Sequence, residues 1–288
     1  LLVACALPLV AIAGGNSVER KVAADANGQV TISNVSGTVD VRGWDRNEVQ
    51  VTGHLGRDVE RLDVDSSGGR TVVKVVLPRG SAHDGNADIE VSVPRNSNVE
   101  VSAVSADVSS RGVLGTQRLK SVSGEITADI AGDESEVRSV SGDVTVRGSG
   151  KPLRLRVSSV SGNLDLTNAA GSLDLVTVSG NARVQMTETS DVRGRSTSGR
   201  VEVRGALTRD GRVDVEGVSG DIILRLTAPA GLSTEIESFS GDIRGCLAGN
   251  VERVSKYGPG KRLNVRTVEA GARVRAKTLS GNVDICDR

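Results

Sequence analysis

Apolar and polar residues alternate strictly around a short Ser-Gly motif that recurs along most of the chain. Two and four residues after the motif glycine lie Ile126 and Ala128, Val144 and Val146, Leu164 and Leu166, Ala182 and Val184, Val201 and Val203, Ile222 and Leu224, and Val283 and Ile285. Between them stand Thr127, Thr145, Asp165, Arg183, Glu202 and Asp284, with Ile223 the exception. Seven and five residues before the glycine come Leu155 and Val157, Leu173 and Leu175, and Val213 and Val215, separated by Arg156, Asp174 and Asp214. Alternation of this kind puts successive side chains on opposite faces of a strand. Another glycine often stands nine or ten residues before the motif: Gly115, Gly132, Gly171, Gly211, Gly231, Gly271. Each unit therefore reads as strand, Ser-Gly corner, strand, glycine corner.

The spacing is periodic. From Gly124 the motif glycines step by 18, 20, 18, 19, 21 and 21 residues to Gly241, then by 40 to Gly281. Forty is two periods, so the spacing predicts a hidden corner at Tyr257-Gly258-Pro259-Gly260. A fixed period near 20 is the mark of a solenoid, whose single turns cannot bury their own apolar faces. The predicted fold is all-β, a parallel β-helix or solenoid of about 20-residue coils, with equivalent strands about 4.8 Å apart. No stretch has a helical apolar period. A sandwich of antiparallel hairpins would explain the alternation but not the single-coil period.

Three segments follow. Residues 1–15 read as the remnant of a signal peptide: an apolar run closing on the small residues Ala11-Ile12-Ala13. Cys5 also fits a lipid-attachment pattern, although apolar rather than tether-like residues follow it. Residues 16–103 read as a less regular N-terminal β cap, with strands at Val30–Ser33, Thr38–Arg42, Glu48–Thr52, Thr71–Leu77, Ile89–Val93 and Val99–Ser102. Residues 104–288 read as the regular β-solenoid. The short C-terminal end would leave its last coil thinly covered and open to end-to-end contact.

Composition narrows the functional classes. Lys plus Arg and Asp plus Glu number 36 each, so no net charge drives binding to nucleic acid or an anionic membrane. One Phe, one Trp and one Tyr suit a narrow aliphatic interior. The apolar N-terminal run is too short to span a bilayer.

Stacked coils turn equivalent positions into columns, and three columns carry chemistry. Three before the glycine stand Ser121, Ser139, Ser159, Thr177, Ser196, Ser238 and Thr278, with Gly217 the exception. No histidine lies in the solenoid to activate a serine, so they read as a hydroxyl ladder bonding the corner backbone. One after the glycine stand Glu125, Asp143, Asn163, Asn181, Asp221, Asp242 and Asn282, interrupted by Arg200. They read as turn chemistry, with a cation ribbon or a glycan-cleaving carboxylate pair as the competing reading. Cys246 and Cys286 each follow their glycine by five residues. With a coil between them their Cα atoms would be about 9.6 Å apart, beyond the ~7 Å reach of a disulfide, which predicts two free thiols. His54 and His83 have no metal-type spacing. Gly258-Pro259-Gly260-Lys261 lacks the following helix of a phosphate cradle. No catalytic, cofactor-binding or metal residue is assigned.

The Ser-Gly-Asp-Val-x-Val repeats, the segment Val39-Asp40-Val41-Arg42-Gly43-Trp44-Asp45 and the segment Ile89-Glu90-Val91-Ser92-Val93-Pro94 occur in a characteristic order. In that order, over residues 20 to 288, the chain resembles the bacterial β-strand-repeat family labelled as adhesins, a family of unknown function. The resemblance implies an exported, β-helical envelope protein with no catalytic residues to transfer. The expected function is a non-enzymatic structural or adhesive protein of the periplasm, outer surface or extracellular space. Flat sheet faces bearing Arg147, Arg204, Arg225 and Asp165 would form its binding surface, and an envelope glycan or surface protein its partner. The alternatives are a polysaccharide-active β-helix enzyme and an envelope scaffold built as a homo-oligomer by end stacking.

Overall fold

In the computed structural model, which describes residues 17–80, 85–228, 231–246, 249–255, 258–267 and 271–286, the alternating segments are strands with buried inward residues. Val144, Val146, Leu164, Leu166, Ile222 and Leu224 are all at most 1 % exposed. β-Branched and leucine side chains pack well on a pleated buried surface, and they supply nearly the whole core.

The N-terminal strands are β1 (Ser17–Ala23), β2 (Gln29–Trp44), β3 (Glu48–Leu55), β4 (Arg61–Ser67), β5 (Arg70–Val76) and β6 (Ala87–Pro94). Strand β3 runs antiparallel to β1 and to β6, and β4 runs antiparallel to β5. The long β2 is parallel to β5 along its first half and to β6 along its second.

Seven strands follow: β7 (Asn98–Arg111), β8 (Gln117–Ser121), β9 (Ile126–Ile130), β10 (Glu134–Ser139), β11 (Val144–Gly148), β12 (Pro152–Ser159) and β13 (Leu164–Thr177). Their pairings are all parallel and close on themselves in the order β7, β8, β10, β12, β13, β11, β9. The ring closes because β7 and β13 are continuous through a corner. Strand β7 pairs β8 through Val99–Ser102 and β9 through Val108–Ser110. On its other side β7 pairs β2.

The remaining strands lie outside the ring: β14 (Ala182–Ser198), β15 (Val201–Ser219), β16 (Ile222–Thr227), β17 (Leu232–Ser238), β18 (Ile243–Gly245), β19 (Glu252–Arg253), β20 (Lys261–Arg266), β21 (Ala272–Ser280) and β22 (Val283–Cys286). Strands β14 and β15 add in parallel to β13. Chain order then breaks. The neighbour of β15 is β21, with Val213 opposite Val274, and β17 lies on the far side of β21, with Thr234 opposite Val274. In the same way β22 separates β16 from β18. Antiparallel β20 and then β19 finish this end.

The protein is all-β, but the regular β-helix expected from the period is corrected to a closed seven-stranded parallel barrel with further strands outside it. Among the described residues, five strand pairs are antiparallel. The physical reason is that every repeat offers the same Val-x-Val edge. That pattern specifies a strand and its register, but not which repeat lies beside which. The predicted hidden corner is also corrected. Tyr257 lies outside the described residues, while β19 and β20 pair antiparallel and the Val254 amide donates to the Gly260 carbonyl at 2.8 Å. The last described repeat, β21 and β22, is an inner layer paired on both sides rather than an open end coil.

Candidate functional site

The Ser-Gly corners stack directly on one another. A Cβ built on Gly142 would stand 2.0 Å from the carbonyl oxygen of Gly124, and one on Gly162 2.0 Å from that of Gly142. Only a residue without a side chain lets the layers approach this closely. Three residues earlier the hydroxyl column is buried and bonds the corner. Ser159 Oγ accepts from the Gly162 amide at 2.9 Å, and Ser139 Oγ donates to the Gly142 carbonyl at 2.7 Å. The Ser196 and Thr278 hydroxyls are buried without a partner.

The carboxylate and amide column makes cross-layer bonds rather than bonds to its own turn. Asp143 Oδ1 accepts from the Asn163 amide at 2.7 Å, Asn163 Oδ1 from the Asn181 amide at 3.2 Å, and Asn181 Oδ1 from the Arg200 amide at 3.0 Å. The same ladder joins Asp221 to Asn282 at 3.1 Å and Asn282 to Asp242 at 3.0 Å. These oxygens are occupied by backbone donors, which makes the column a staple between layers.

Between the buried hydroxyl and the motif serine sits a residue whose parity points outward. It is Val35, Val104, Val122, Val140, Val160, Val178, Thr197, Val218, Leu279 and Phe239 in stacking order. The nine apolar members are between 38 and 56 % exposed. Backbone bonds hold them in file: the Ser141 amide donates to the Val122 carbonyl, and the Ser161 amide to that of Val140, both at 2.8 Å. Ten rungs at the strand spacing make a ridge about 43 Å long. Contiguous apolar surface of this kind marks contact sites on soluble proteins. Sequence reasoning missed it, although each Val-Ser-Gly copy shows an apolar residue on the outward parity.

At one end the ridge borders a groove of about 720 Å³. Val176, Val178, Val218, Phe239, Leu279 and Val254 give it an apolar lining, and Arg195, Glu216, Glu237, Lys261, Arg262 and Lys277 are also in its wall. Glu237 is held by Lys277 at 2.7 Å and by Arg262 Nε at 2.8 Å. Both cations keep its carboxyl below the usual carboxylate range, the Lys277 bond contributing most.

Three of the four charges expected to serve the flat faces are engaged within the sheet, and Arg147 is exposed. Arg204 pairs with Glu202 at 2.5 Å, Arg225 with Asp284 at 2.9 and 3.1 Å, and Asp165 with Arg183 at 3.7 Å. His54 is exposed on β3, opposite Ser17 and Asp88. His83 and Cys5 lie outside the described residues. Among the described residues no three His, Cys, Asp or Glu side chains converge as a metal site, and no helix is long and apolar enough to cross a membrane.

The sequence model of the Toastrack DUF4097 family matches residues 16–286. The chain belongs to the Toastrack DUF4097 family. No curated protein matches this Toastrack sequence. Several solved structures do. A protein of Parabacteroides distasonis, provisionally described as lipid-binding, is 12 % identical with a TM-score of 0.44, covering 94 % of this chain and 97 % of its own. Proteins provisionally described as adhesins from Bacteroides fragilis and Parabacteroides merdae are 11 % and 10 % identical, with TM-scores of 0.41 and 0.38. The first covers 93 % of this chain and 96 % of its own, the second 94 % and 97 %.

In this Toastrack chain the two cysteines are not free thiols. Cys246 and Cys286 form a disulfide, with Cα atoms 4.8 Å apart. The expected separation assumed a repeat between them. Because β18 pairs directly with β22, Gly245 faces Ile285 and the two cysteines are next in register.

Proposed function

We propose that this Toastrack protein is an exported, non-enzymatic adhesive protein of the bacterial cell envelope, and that it attaches through its apolar ridge. The ridge is the observation that carries the reading. A soluble protein gains nothing in stability from nine outward aliphatic or aromatic side chains in file, whereas a partner laid along them would bury all of them at once. Repetition also suits weak multivalent contact, in which each rung adds little and the file adds much. The ridge is favoured over the flat faces as the binding surface, because Arg204, Arg225 and Asp165 there are already paired. Its aliphatic rungs favour an envelope surface protein over a glycan, which would need aromatic platforms.

The test compares the full chain with the variant Val122→Ser/Val140→Ser/Val160→Ser for sedimentation with washed envelope fractions. Three half-exposed valines removed from a buried contact should weaken binding on the order of 10- to 100-fold. Equal retention of both proteins would remove the ridge from the account. Release of soluble sugars from the envelope by the wild type would instead support the polysaccharide-active alternative.

A further inference from the structure

The order of layers at the C-terminal end differs from the order of the chain. The last repeat, β21 and β22, fills a gap one layer wide between β15–β16 on one side and β17–β18 on the other. It is bonded on both sides at the corner as well. The Gly220 amide donates to the Ser280 carbonyl at 3.3 Å, and the Ser240 amide donates to the Leu279 carbonyl at 2.9 Å. Arg225 reaches across to Asp284 with two bonds of 2.9 and 3.1 Å. The gap is therefore shaped for one segment, and that segment comes from the very end of the described chain.

Without that segment the gap presents two strand edges in matching register, a template for any strand of the same pattern. A second copy of this chain carries an identical segment. Mutual insertion would satisfy both gaps with the pairings of β21 and β22 preserved and would close a two-fold pair.

The disulfide joins the inserted segment to the layer that receives it. Cys286 ends β22 and Cys246 follows β18. We propose that the last repeat, residues 272–286, is a donor segment that passes between two copies of this chain, and that the Cys246–Cys286 bond fixes whichever arrangement exists when it forms. Closing the bond takes two thiols to one disulfide. The two electrons and two protons pass to a disulfide oxidant such as oxidised glutathione, which leaves as two reduced thiols. Closed within one chain, the bond holds a monomer. Closed after exchange, it links two chains covalently.

The experiment mixes two full-length variants of different tagged size, Cys246→Ser and Cys286→Ser, each also carrying Cys5→Ser. They are unfolded together, refolded at high concentration and oxidised with glutathione. Exchange predicts a disulfide between Cys286 of one variant and Cys246 of the other, mapped by peptide mass, in a species twice the mass of one chain. A parallel sample of reduced wild type, reoxidised at high and low concentration, needs no variant to fold. It should yield covalent pairs at high concentration and single chains at low. Single chains at every concentration, with no 246–286 link between the two variants, would overturn the proposal.

Discussion

At Gly142 the space for a side chain is already occupied by the Gly124 carbonyl 2.0 Å away. Its backbone is not in the left-handed region, whereas Gly68 has φ +56 and nothing within 4 Å of a built Cβ. The two glycines are thus required for different reasons. Gly142→Ala should lower unfolding free energy by about 3 kcal/mol, since two packed layers must part. Gly68→Ala should cost about 1 kcal/mol, the price of a left-handed alanine. Urea denaturation of both variants checks the ranking. Glu237 supports a second prediction. Its folded pKa lies below the unfolded value near 4.5 because Lys277 and Arg262 bond the carboxylate. The stabilisation is therefore complete above that value and is lost as pH falls through the lower folded pKa. Glu237→Gln should destabilise the protein at pH 7 and lose that penalty progressively below pH 4.5. Thermal unfolding across that range would sink the idea if the difference between the two proteins stayed constant.

At the scale of the element, the inserted last repeat depends on its neighbours for both edges. Removing the disulfide frees a closure of sequence separation 40. Cys286→Ser should therefore reduce stability by about 2–4 kcal/mol. Hydrogen exchange should accelerate first in β21 and β22, and uniform acceleration across the sheet would contradict this. Much of the element level was legible. The strands expected at Glu48–Thr52, Thr71–Leu77 and Ile89–Val93 correspond to β3, β5 and β6 within a few residues. Strands β1 and β4 were not read, because they run antiparallel at the margin and bury little, so alternation is weak in Arg61–Ser67. The disulfide was unreadable for a different reason. It depends on which repeats are neighbours, and near-identical edges carry no such information.

Over the whole molecule the ridge emerges only from stacking. One exposed valine such as Val140 is ordinary and needs no explanation. Nine apolar rungs in file form a surface that no single repeat contains. The motif positions were visible in the sequence, but the meaning of the residue before the serine was not, because it depends on layers being in register. The ridge and the fold are also separable. Val122→Ser, Val140→Ser and Val160→Ser should each change stability by less than about 0.5 kcal/mol. Calorimetry of the triple variant checks that any loss of envelope attachment is not a loss of folding.

The stacked corners have one more consequence. From Gly124 to Gly199 the corners meet through a glycine carbonyl, and from Asp143 to Arg200 through a side-chain oxygen as well. One repeat's corner therefore presents its neighbour with the same backbone and side-chain contacts as the next repeat's does. Exchanging corner sequences between neighbouring repeats should leave these seams intact.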